Sequence, residues 1–77
     1  NDKVFLIHIL ESIEQIESYV PGKDEFYGSR LIQDGVIRNL EIIGEAVKNI
    51  SNDLRNEHED IPWREMAGLR DVLIHNT

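Results

Sequence analysis

Residues 32–54 run Ile32-Gln33-Asp34-Gly35-Val36-Ile37-Arg38-Asn39-Leu40-Glu41-Ile42-Ile43-Gly44-Glu45-Ala46-Val47-Lys48-Asn49-Ile50-Ser51-Asn52-Asp53-Leu54. Ile32, Val36, Leu40, Ile43, Val47, Ile50 and Leu54 step by four, four, three, four, three and four. That heptad-like seam is the packing face of a bundle helix. Ile37 and Ile42 lie outside it, so the helix is expected to bury two faces. Gly35 and Gly44 each cost about 1 kcal/mol against Ala in a helix interior. Such a cost is tolerated where two backbones approach closely.

Working outward, Lys3 to Val20 form a first amphipathic helix. Leu6, Ile9, Leu10, Ile13, Ile16 and Val20 share one stripe, and Pro21-Gly22 stops it. Asp24, Phe26 and Tyr27 are expected to form a short turn before Gly28-Ser29. Residues 52–60 read as a fraying helix end plus loop. Asp60-Ile61-Pro62 then opens a third helix, with Pro62 in its first turn. Trp63, Met66, Leu69 (or Ala67) and Leu73 carry its apolar stripe to the end of the chain. No strand pattern appears. The expected fold is all-α, an antiparallel up-and-down bundle with three helices visible. A fourth helix beyond Thr77, or self-association, would cover the remaining apolar faces. Residues 1–77 are read as one helical domain, incomplete at its C-terminus.

The chain has 77 residues, which limits it to a small core. There is no cysteine, so neither disulfides nor thiolate metal sites supplement that core. This fits a reducing cytosol, and the location is read as cytoplasmic. No run approaches the roughly 20 apolar residues that span a bilayer. Eight basic and fifteen acidic residues give a net charge of −7. That excludes a protein that coats nucleic acid through bulk charge, but not a local cationic site. It also suits a chain that docks on a basic partner surface.

The chemistry gathers at the end: Gly68-Leu69-Arg70-Asp71-Val72-Leu73-Ile74-His75-Asn76-Thr77. A forked guanidinium can hold a phosphate. An imidazole with a pKa of about 6.5 can move protons at neutral pH. Asp71 lies four residues before His75 and could orient its ring. Arg70 and His75 are separated by ~140° around a helix, so one narrow face does not hold both. On spacing alone, a solvated arginine and a histidine on the helix dipole explain the pair as well.

Three blocks together resemble the HepT-like branch of the HEPN superfamily, the small toxins of HepT–MntA toxin–antitoxin pairs. They are Gln33 through Ala46, Ile61-Pro62-Trp63-Arg64-Glu65-Met66-Ala67-Gly68-Leu69-Arg70-Asp71, and the remainder through His75-Asn76-Thr77. Arg-x4-His gains its meaning from the two blocks before it. The resemblance implies a homodimeric bundle in which the Arg-x4-His motifs of two subunits face a shared cleft. It implies metal-independent RNA cleavage without a cofactor. Arg70 would bind the phosphate, His75 would act as acid or base, and Asp71 would support them. It also implies a nucleotidyltransferase antitoxin, MntA-like, as partner. That partner modifies a tyrosine in an extended pattern, Arg-x4-His-x-Tyr. The tyrosine is expected just past Thr77, and neither Tyr19 nor Tyr27 is assigned its role. The rival reading is a non-catalytic helical subunit that docks a nucleotidyltransferase.

Arg38, Glu41, Glu45 and Lys48 step along one side of the second helix. A ladder of surface ion pairs is the preferred reading. The resemblance keeps a second one open, in which Arg38, Glu41 and Glu45 support the catalytic cleft. His8 is expected to be a partly buried packing residue rather than a metal ligand. His58 is expected in a solvated acidic loop. Trp63 is expected to anchor the core or an interface, and Phe5 and Phe26 are expected in the core.

Overall fold

The computed structural model describes residues 1–19, 22–69 and 71. Five helices follow one another: α1 (Asp2–Tyr19), α2 (Lys23–Gly28), α3 (Arg30–Lys48), α4 (Asn52–Glu57) and α5 (Trp63–Ala67). No strand occurs among the described residues. The fold is an all-α bundle, as the periodicity implies.

The starts of α1 and α3 are capped by side chains. The Asn1 side-chain oxygen accepts a hydrogen bond from the Lys3 amide at 3.0 Å. The Ser29 hydroxyl accepts one from the Ile32 amide at 3.2 Å and starts α3. Both satisfy donors that the first helical turn leaves without a partner. Gln33 Nε2 donates to the carbonyls of Phe26 and Tyr27 at 3.0 and 3.2 Å, so α3 closes the end of α2. Residues 23–28 are therefore helical, where a simple turn was expected.

The long seam breaks where the sequence suggested continuity. α3 stops at Lys48, and Asn49 Nδ2 donates to the Glu45 carbonyl at 2.9 Å. Ser51 then starts α4, its hydroxyl accepting from the Leu54 amide at 3.2 Å. The expected fraying end is thus a separate capped helix. Ile50 is buried in the bend between the two, and Leu54 is half-buried on α4. Arg55 of α4 reaches back, Nη2 donating to the Val47 carbonyl at 2.6 Å. Its Nε is buried without a hydrogen-bond partner, and nothing in the structure explains that. Pro62 stands at the N-cap of α5 rather than inside its first turn.

α1 and α3 are antiparallel neighbours. The Asp2 carboxylate, at the start of α1, accepts from the Ser51 amide at 2.8 Å and the Ser51 hydroxyl at 2.6 Å, just past the end of α3. These two bonds, the hydroxyl's first, hold the Asp2 carboxyl below its ordinary pKa. Ile9, Ile43, Ala46 and Val47 form the centre of the core. Phe5, Ile16, Leu40, Trp63, Met66, Ala67 and Leu69 pack around it half-buried. Val47 is fully buried, which contributes about 1.5–3 kcal/mol. α3 meets α1 on one side and α5 on another, as its two apolar faces require.

The stripe on α1 is only partly used. Phe5, Ile9, Ser12 and Ile16 face the core, whereas Leu6, Leu10 and Ile13 are exposed. No described element covers those three side chains. His8 is also exposed, correcting its expected packing role. Lying beside the core-facing line rather than on it, its ring stands edge-to-face with that of Phe5, centroids 6.1 Å apart. Phe26 is half-buried. No described helix is long and apolar enough to cross a membrane.

Candidate functional site

Gly44 sets the geometry of the site. α5 lies so close to α3 that a Cβ on Gly44 would stand 3.1 Å from the Ala67 carbonyl oxygen. A glycine here lets the two backbones meet. Beside this contact a cleft of about 430 Å³ opens, lined by Arg38, Glu41, Ile42, Gly44, Glu45 and Lys48 of α3, and by Ala67 and Asp71. Asp71 is helical and exposed.

Of the residues assigned from sequence, Arg38, Glu41, Glu45 and Asp71 line this one cleft. Arg70 and His75 lie outside the described residues, as does Leu73. The expected ion-pair ladder is corrected. No ion pair engages Arg38, Glu45 or Lys48 among the described residues. Exposed pairs of this kind gain only a few tenths of a kcal/mol, too little to hold long side chains in one geometry. Lys48 is the cleft residue that was read only as part of the ladder. Its signal was its position, three residues after Glu45 on the same side of α3.

Two further hollows adjoin the cleft. One of about 400 Å³ lies between α1 and α3 and includes His8, Glu11, Ser12, Gln15, Asn39 and Ile42. A smaller one of about 180 Å³ is lined by Phe5, His8, Ile42, Glu45, Ala46 and Asn49. Ile42 borders all three. Among the described residues, no group of three or more His, Asp or Glu side chains is placed to hold a metal ion. Glu41, Glu45 and Asp71 share the cleft without forming such a group. His58 is exposed at the end of α4, where its carbonyl accepts a hydrogen bond from Trp63 Nε1 at 3.0 Å.

An all-α bundle with a mixed-charge cleft, in a sequence that carries Arg-x4-His, defines a class of protein. The chain belongs to the ribonuclease HepT-like family, whose family model matches residues 9–76. It is 53% identical over 74 residues to a Methanocaldococcus jannaschii protein described as a gamma-glutamylcyclotransferase and candidate RNase. That match takes in 94% of this chain and 33% of the relative. It is 47% identical over 75 residues to a candidate RNase of the same organism, covering 95% of this chain and 69% of the relative. It is 51% identical over 75 residues to a protein of Thermococcus cleftensis described as a probable ribonuclease HepT, covering 95% and 68%. The chain thus spans a third of the first relative and just over two thirds of the other two. No solved structure matches it.

Counting Arg-x4-His-x-Tyr from Arg70 places the tyrosine at position 77 itself, which is threonine here. The expectation of a tyrosine just past Thr77 is corrected by one position, and position 77 carries no tyrosine.

Proposed function

We propose that residues 1–77 form a single HEPN-like domain of a metal-independent endoribonuclease, the toxin of a type II toxin–antitoxin pair. It acts in the cytoplasm as a homodimer and is neutralised by an MntA-like nucleotidyltransferase. The supporting observation is that the family match runs through both Arg70 and His75, while Asp71, next to Arg70 in sequence, lines a cleft with Arg38, Glu41 and Glu45.

The chemistry needs no cofactor. The RNA 2′-oxygen attacks the adjacent phosphorus, and the bond from phosphorus to the 5′-oxygen breaks. The products are a 2′,3′-cyclic phosphate and a free 5′-hydroxyl. A base takes the 2′-hydroxyl proton and an acid gives one to the leaving 5′-oxygen. Arg70 stabilises charge developing on the phosphate oxygens. His75 serves as acid or base, and a two-fold axis supplies a second His75 for the complementary step. Asp71 orients the imidazole. Arg38, Glu41 and Glu45 support the cleft from α3. The ~140° offset between Arg70 and His75 favours a site completed across two subunits.

The test is cleavage of RNA by the full-length protein in chelator, without its antitoxin. Wild type should cut RNA to cyclic-phosphate ends, and Arg70→Ala and His75→Ala should each fail. A wild type that neither cuts RNA nor slows growth would leave the docking-subunit reading in its place.

A further inference from the structure

We propose that Arg38 and Lys48 are phosphate contacts for a single-stranded RNA that crosses the cleft along α3. This rests on the ribonuclease reading and adds a path for the strand on either side of the reacting phosphate.

With a net charge of −7, the chain does not attract RNA through its overall field. Attraction must come from discrete cations, and few of those on the described residues are placed to supply it. Arg55 is already committed to the Val47 carbonyl. Lys3, Arg30 and Arg64 are exposed on other helices or ends and do not line the cleft. Arg38 and Lys48 do line it, and both are exposed. Among the described residues no hydrogen bond or ion pair engages either. Carboxylates stand within helical reach at Glu41 and Glu45, so this freedom is not for want of neighbours.

The spacing fits a strand rather than one anion. Ten residues of helix separate the two cations by about 15 Å along the axis of α3, too far to share one phosphate. Asp71, whose sequence neighbour is Arg70, lines the cleft too. Glu41 and Glu45 stand between the two cations along α3, and Asp71 adds a further carboxylate to the lining. A polyanion is therefore held at separate points rather than along the whole wall. Lys48 also gives the cleft a cation outside the Arg-x4-His motif.

Counterion release provides the readout. Each phosphate contact with a single strand contributes about −0.7 to the slope of log affinity against log salt. The probe is a 2′-deoxy oligonucleotide, which cannot be cleaved, titrated into the full-length protein across a KCl series. Arg38→Ala and Lys48→Ala should each make the slope shallower by about 0.7, and the double variant by about 1.4. Arg38→Lys and Lys48→Arg should keep the wild-type slope, and Arg30→Ala should leave it unchanged. Helicity by circular dichroism checks that each variant is folded. Equal slopes for wild type and both alanine variants would overturn the proposal, as would absence of binding at low salt. A protein that cleaves RNA with slopes indifferent to Arg38 and Lys48 refutes the strand path alone. A protein whose slopes respond but which cuts nothing refutes the nuclease reading and leaves the contacts standing.

Discussion

Gly44 of α3 and Ala67 of α5 stand so close that a Cβ at Gly44 would lie 3.1 Å from the Ala67 carbonyl oxygen and 3.5 Å from that of Met66. The obstacle is backbone, which cannot rotate away as a flexible side chain would. Gly44→Ala gains about 1 kcal/mol of helix propensity. Overpacking costs about 1–3 kcal/mol. The expected net is a loss of about 1 kcal/mol for Ala and a larger one for Val. Thermal unfolding by circular dichroism reads both. A raised melting temperature for Gly44→Ala would mean that α5 gives way freely, and that the contact does not fix the wall of the cleft.

Asp2 and Ser51 join the start of α1 to the start of α4. Ser51 both caps α4 and donates to the Asp2 carboxylate. Ser51→Ala removes the cap and one donor, and should cost about 1 kcal/mol, within the 0.5–2 range for lost caps. Asp2→Asn should destabilise at neutral pH. The pH dependence follows from the direction of the shift. The Asp2 carboxyl is lowered from 3.8 in the folded chain, chiefly by the Ser51 hydroxyl. Its stabilisation is therefore complete above the unfolded value and fades as pH falls through the folded one. Wild type and Asp2→Asn should converge in urea titrations carried into that acid range. A gap that persists there would show that the carboxylate charge is not what Ser51 recognises.

Which parts of this architecture could be read from the chain depends on how local their causes are. The seam through Val36, Ile43 and Val47 was legible because helical periodicity acts within a few turns. The need for Gly44 followed from the cost of a glycine in a helix interior. The break at Ser51 was written as a cap residue, but the apolar step from Ile50 to Leu54 masked it. On α1 the face was misplaced because Leu6, Leu10 and Ile13 are as apolar as Phe5, Ile9 and Ile16. Periodicity alone cannot say which of two apolar lines meets α3. The charged line from Arg38 to Lys48 looked like any solvated helix face, since its place in a cleft depends on α5, which is distant in sequence. Arg70 and His75 were assigned by their order in a family pattern, not by geometry, and lie outside the described residues.

Trp63 ties the α4–α5 connection to the core. It is half-buried against the central cluster, and its Nε1 donates to the His58 carbonyl at 3.0 Å. Trp63→Phe keeps most of the ring and loses the donor. A net cost of about 1 kcal/mol is expected from the hydrogen bond, with a further fraction from the smaller ring. Trp63→Ala should cost more, because it also exposes the cluster. Trp63 is the chain's one tryptophan, so unfolding must be followed by circular dichroism rather than fluorescence. Equal stability of Trp63→Phe and wild type would show that the bond to His58 contributes nothing net.

Asp71 offers a way to separate support from chemistry. Under the proposed mechanism His75 carries the proton, and Asp71 precedes it by four residues, the spacing at which helical side chains meet. As a supporting residue, Asp71 should matter less than the groups it supports: Asp71→Asn should lower the rate at pH 7 by about tenfold or less, against about 10²–10⁴ for His75→Ala and about 10²–10³ for Arg70→Ala. The measurement is kcat at pH 7 with an RNA oligonucleotide at saturation, with chelator present throughout. A loss as large as that of His75→Ala would make Asp71 part of the chemistry rather than its support. A rate equal to wild type would remove it from the site.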